Sequence, residues 1–98
     1  MKLYIKRRKD GIEAVADYDA HQKRFVVLKG SRVSSTIAYS EKFRGAKSIE
    51  KFRAEFVEDG VVVRDAVFTS SSTAANFVTG RSTNGLTAWK DEGGTTLK

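Results

Sequence analysis

The sequence predicts an α+β fold: a mostly antiparallel β-sheet with two helices, over about residues 48–59 and 72–79, packed against it. Three observations lead there. Stretches of alternating apolar and polar residues outnumber helical ones, and short Asp-Gly, Asn-Gly and Gly-Gly turns separate them. One segment, Ser48 to Asp59, spaces Ile49, Phe52, Phe56 and Val57 at i, i+3, i+7 and i+8, a single helix face. A chain of 98 residues suits one domain with one modest core, and 40% apolar residues suffice to fill it. Residues 1–98 therefore read as a single domain.

Taken in order, Leu3–Lys6 and Ile12–Tyr18 alternate as strands, with Ile12, Ala14, Ala16 and Tyr18 on one face. Asp10-Gly11 between them readily takes positive φ and closes a hairpin. Phe25 to Leu28 is uniformly apolar, which predicts a central strand buried on both faces. Gly30 permits a bend, and Arg32 to Tyr39 reads as a further strand. After a polar connection over Glu41–Lys47, Ser48 is the expected N-cap of the first helix and Gly60 its left-handed stop. Val61–Val63 and Ala66–Phe68 form one bent strand or two short ones. The second helix starts near Ser71 or Ser72, carries Ala74, Ala75, Phe77 and Val78, and stops at Gly80. Asn84-Gly85 then turns the chain into Leu86–Lys90, and Asp91–Gly94 turns it again into Thr95–Leu97.

Composition excludes several classes of chemistry. Zero cysteines exclude disulfides, thiol catalysis and zinc-finger sites, and fit a reducing, cytoplasmic setting. The chain has no apolar run long enough for a membrane span, and its basic N-terminus lacks a signal-peptide core. The only histidine, His21, lies in a polar turn without spaced metal-ligating partners. Serines abound, but no nucleophile-elbow pattern accompanies them. Glu50, Glu55, Glu58 and Asp59 read as the wet face of the first helix. No enzyme activity, metal or cofactor is expected.

The charge is uneven. Residues 1–50 hold twelve Lys/Arg against six Asp/Glu, whereas residues 51–98 hold six against six, so the first half carries the whole net +6. Such a half favours polyanions through phosphate contacts and counterion release. Arg7, Arg8, Lys9, Lys29 and Arg32 are the candidate phosphate contacts. The hydroxyl run Ser70–Thr73 opens a helix, so Ser71 and Ser72 either cap it or seat an anion on its free amides. Gly80–Gly85 follows a helix, whose negative end repels phosphate, so it is no phosphate loop, although Arg81 can reach a backbone phosphate from outside. Trp89 is either the lid of the core or an exposed stacking surface, and Tyr4, Tyr18 and Tyr39 lie on candidate strands that can pack or stack bases.

Two blocks carry a family resemblance. Phe68 to Leu97, FTSSSTAANFVTGRSTNGLTAWKDEGGTTL, and Phe25 to Ser31, FVVLKGS, resemble domain-of-unknown-function family 4357 in order and spacing. Members of that family often carry a proline where this chain has Ser71. The resemblance implies a small module associated with GIY-YIG nuclease-like domains, whose own signature is missing here. It also implies similarity to RAMA-type modules of DNA-modification proteins. With the basic first half, the expectation is a non-catalytic accessory domain that contacts nucleic-acid phosphates, DNA ahead of RNA. The alternative is a protein–protein interaction module that docks to a nuclease or methylase, marked by an exposed apolar patch at Trp89 or Val61–Val63.

Overall fold

The computed structural model describes residues 1–37 and 46–98. Among these, strands β1 (Lys2–Arg7), β2 (Ile12–Asp19), β3 (Arg24–Val27) and β6 (Ala66–Phe68) form one antiparallel sheet in the order β1-β2-β3-β6. Strands β4 (Val57–Glu58) and β5 (Val61–Val62) form a small second hairpin. Three helices, α1 (Ala46–Phe56), α2 (Ser71–Thr79) and the short α3 (Gly85–Ala88), complete the described elements. The class is α+β.

Alternation sets the sheet's two faces. Leu3 and Ile5 on β1, Ile12, Ala14 and Ala16 on β2, Phe25 and Val27 on β3, and Ala66 and Phe68 on β6 are buried on one side. Registers Ile5↔Ala14, Ala16↔Val27 and Phe25↔Phe68 align them into one apolar surface. Onto it pack Phe77 and Val78 of α2, Ile49 of α1 and Trp89. Trp89 has no exposed surface, lies 5.2 Å from the Phe25 ring, and donates its indole N–H to Ser71 O at 3.0 Å. It is a core residue with its one polar atom satisfied.

The structure revises several expectations. β3 is interior to the sheet, but only one of its faces is buried, since Val26 and Leu28 are half-buried and Val67 beside them is 51% exposed. The described helices pack on one side of the sheet; on the other, Tyr4, Val15 and Val26 are half-buried and Val67 is exposed. Arg32–Ile37 forms no strand beyond two isolated bridges at Arg32, to Glu13 and Val61, because the Ser34 hydroxyl donates to Thr36 O and the Ser34 amide donates to Val78 O, which replaces ladder pairing with a local bond and a bond to α2. The rest of that expected strand, with Tyr39, and most of the 41–47 connection lie outside the described residues.

The described part of the first helix runs from Ala46 to Phe56, so Ser48 lies within the helix instead of at its N-cap, and the helix ends at Phe56 instead of Asp59. Asp59 and Gly60, at φ 51° and 77°, are the two residues of the β4–β5 hairpin turn, the positive-φ pair that tight hairpins require. β-branched Val57, Val61 and Val62 on either side favour the hairpin over a last helical turn. β5 and β6 are two separate short strands. α2 is capped by Ser70, whose hydroxyl accepts from the Thr73 amide, and stopped by Gly80 at φ 73°. Instead of a simple turn, Asn84-Gly85 opens α3, because the Asn84 side chain accepts from the Leu86 amide and caps the helix. Beyond it the C-terminal segments make the isolated bridges Tyr4↔Lys90 and Lys90↔Thr96.

Candidate nucleic-acid interface

Two hairpin tips and one bridging segment build the basic surface. β1 ends at Arg7 and passes into a 3-10 turn, Arg8–Asp10, closed by Gly11 at φ 68°. Arg8 and Lys9 are exposed on that turn. The chain beyond Gly30 runs back along β2, where Arg32 exchanges backbone hydrogen bonds with Glu13 at 2.8 and 3.0 Å. The Val33 amide then donates to Gly60 O at 2.9 Å, which ties the segment to the second hairpin tip. A groove of about 770 Å³ results, lined by Arg8, Lys9, Arg32 and Arg53, with Asp10 and Asp59 as the acids among them.

A second depression of about 420 Å³ adjoins it, shares Lys9, Asp10, Ser34 and Ser35, and is also lined by Arg81. A third, of about 310 Å³, holds Lys29 and shares Arg32 with the groove. Five of the sequence-predicted residues, Arg8, Lys9, Lys29, Arg32 and Arg81, are thus brought onto contiguous concavities. Arg7 is half-buried at the end of β1 and lines none of the three.

Ser71 and Ser72 do not join this surface. They open α2, whereas Arg81 follows its other end, about 13 Å along the helix axis by the ordinary rise per residue. Their atoms have structural roles: Ser71 O accepts from Trp89, and the Ser72 hydroxyl accepts from the Gly85 amide at 3.1 Å. Gly85 abuts the Ser71–Ser72 peptide so closely that a side chain there would collide with it. Helix α3 therefore covers the helix start that the hydroxyl run suggested as an anion seat.

Sequence reasoning missed Arg53. Its guanidinium donates to Ser34 O and Ser34 Oγ at 2.8 Å, to Phe77 O at 3.0 Å and to Val78 O at 3.1 Å. One side chain thereby joins α1, the groove segment and the C-terminal carbonyls of α2, where a cation also complements the helix dipole. The signal was present: Arg53 follows Phe52 and sits four residues after Ile49, a long cation inside the apolar stripe of α1.

The other candidates fall elsewhere. His21 is exposed in a turn where Asp19 accepts from the amides of His21 and Gln22. Glu58 and Asp59 belong to the second hairpin, which leaves Glu50 and Glu55 as exposed acids of α1. Tyr4 is half-buried, with Lys6 over its ring and its hydroxyl donating to Glu92 at 3.3 Å. Loss of solvent around the phenol, then the charge and hydrogen bond of Glu92, push the Tyr4 pKa above the usual tyrosine value. Tyr18 is half-buried and packs its ring 4.9 Å from Phe25.

Fold and site together define a small basic α+β domain whose cations, contributed by separate elements, meet in a shallow polar cleft. The chain belongs to the domain-of-unknown-function family DUF4357, whose family model matches residues 3–98. None of the curated proteins and none of the solved structures matches it. Among the described residues, no helix is long and apolar enough to cross a membrane.

Proposed function

We propose that this domain is a non-catalytic accessory module that holds nucleic acid by its phosphate backbone. One observation carries the reading: Arg8 and Lys9 from the first hairpin and Arg32 from the bridging segment line one groove, which opens toward Arg81. Exposed cations grouped in a polar concavity supply the sequence-independent part of nucleic-acid affinity. Of the described residues of α1 only Arg53 lines the groove, and it is engaged by carbonyls, while the exposed Lys47, Glu50, Lys51 and Glu55 of that helix do not line it, so binding is expected to tolerate changes of sequence.

Fluorescence polarisation with labelled duplex DNA, single-stranded DNA and RNA at two salt concentrations tests this. Four phosphate contacts give a slope of log affinity against log salt of roughly −3 to −4. Absence of binding to all three at low salt overturns the reading. Protein docking is the second reading, and its surface differs from the one expected from sequence. Trp89 and Val62 are fully buried, while Val67 is 51% exposed on the opposite sheet face beside half-buried Val26.

A further inference from the structure

The depression between the 3-10 turn and the end of α2 holds an ion pair that spans the chain. Arg81 Nη2 lies 3.3 Å from Asp10 Oδ2, and 71 positions separate the two residues. The backbone presenting Arg81 is braced from several sides. The Thr79 hydroxyl donates to Arg81 O at 3.1 Å and bonds the Thr83 hydroxyl at 2.7 Å, and the Thr83 amide donates to the Asn76 side chain at 2.8 Å. Asp10 is fixed in turn by the tight hairpin end closed at Gly11. A cation on a braced backbone therefore touches a carboxylate on a tight turn, in a concavity that also holds Lys9 and Ser35.

The end of a helix is ordinarily a poor place for an anion, because its free carbonyls carry negative partial charge. Here Arg53 donates to Phe77 O and Val78 O, the Ser34 amide also donates to Val78 O, and the Gly80 amide donates to Asn76 O. The carbonyl end of α2 is thus largely covered by donors, and the repulsion expected beside Gly80 is relieved.

We propose that this depression is a second phosphate subsite guarded by Asp10, whose carboxylate holds Arg81 until a phosphate of a nucleic-acid strand takes its place. The proposal rests on the phosphate-backbone reading above and names the residue that makes the cleft selective. The pair is solvent-exposed, with 53% of the Arg81 side chain and 38% of the Asp10 side chain accessible, so its exchange for another anion is easy. Phosphate also offers Arg81 two oxygens in the fork geometry that guanidinium prefers. A lone phosphate must displace Asp10 with only the contacts of the depression itself, Lys9 and Ser35 among them. A strand already held by Arg8, Lys9 and Arg32 displaces it with their help, so the subsite selects consecutive phosphodiesters over single phosphate ions.

A double-mutant cycle in the fluorescence-polarisation assay, with labelled single-stranded and duplex DNA, tests this. It uses the wild type, Asp10→Asn, Arg81→Ala and the double variant, each first shown by thermal melting to remain folded. Asp10→Asn is expected to tighten binding about two- to fivefold at low salt, the range of a weak surface ion pair. In the Arg81→Ala background that gain should vanish, and the salt slope should be shallower by about 0.7–0.9, one phosphate contact fewer. An equal gain with and without Arg81 overturns the subsite, because Asp10 then acts only through net charge. Wild-type binding that Asp10→Asn leaves unchanged also overturns the subsite, while the phosphate-backbone reading stands. Failure of every variant to bind at low salt overturns both.

Discussion

Replacing Arg53 with alanine is the most informative single change, because one side chain supports both the groove and the end of α2. Its guanidinium makes four described hydrogen bonds, to Ser34 O, Ser34 Oγ, Phe77 O and Val78 O. Not all four acceptors are left without a partner when it is removed. Val78 O still accepts from the Ser34 amide at 2.9 Å, and the Ser34 hydroxyl still donates to Thr36 O at 2.8 Å. Phe77 O and Ser34 O lose the bonds that Arg53 makes to them. A partly buried acceptor left unsatisfied costs roughly 1–3 kcal/mol, and water reaching the half-exposed site lowers that, so the expected loss is about 2–4 kcal/mol. For a domain of this length each kcal/mol lowers the midpoint by roughly 4–8 °C, which predicts a fall of at least about 8 °C. Urea and thermal unfolding followed by circular dichroism measure it. Arg53→Lys should recover only part of the loss, because an ammonium cannot reproduce the planar fork. A loss below about 1 kcal/mol for Arg53→Ala would refute the claim that Arg53 joins α1 to the groove segment and α2.

Other changes probe other links. At Gly80 the backbone is left-handed, and an added Cβ would clash with Thr36 O and come within 2.6 Å of Ser34 Oγ. Gly80→Ala is therefore expected to cost about 2–4 kcal/mol, and an unfolding midpoint equal to wild type would disprove the close approach. Arg8→Ala with Arg32→Ala should reduce the salt slope of DNA binding by roughly 2 units, whereas Arg7→Ala should leave it nearly unchanged; the reverse pattern would move the interface off the groove. Tyr4 should ionise above the ordinary value near 10 in an alkaline absorbance titration, and Glu92→Gln should lower it part of the way, since loss of solvent is the larger cause. A raised folded-state pKa means that Tyr4's contribution to stability is complete below the unfolded value and is lost as pH climbs through the folded one. An unchanged titration in Glu92→Gln would exclude the carboxylate as a cause.

Elements that depend on their own residues were legible in the chain. The β1–β2 hairpin follows from strict alternation and Asp10-Gly11, and α2 from a small-residue apolar stripe between Ser70 and Gly80. Elements whose local signals admit two outcomes were not. Asp59-Gly60 ends a helix as readily as it turns a hairpin, and only the pairing of Val57–Glu58 with Val61–Val62 chose the hairpin. Asn84-Gly85 serves a turn or a helix cap, and the choice of α3 accompanies the docking of Gly85 against Ser71–Ser72 and the burial of Trp89. At the site, cations can be counted from sequence, but their grouping cannot.

What the chain determined by itself was its class, its family, its excess of cations in the first half and the apolar faces of its hairpin and α2, because each depends on composition or on neighbours a few residues apart. Only the tertiary structure decided which cations share a cleft, that Ser71 and Ser72 serve packing against α3, and that Arg53 and Asp10 face partners 24 and 71 residues away. Those outcomes depend on how close distant segments come once the core is buried. Side-chain periodicity along a strand or helix carries no record of that distance.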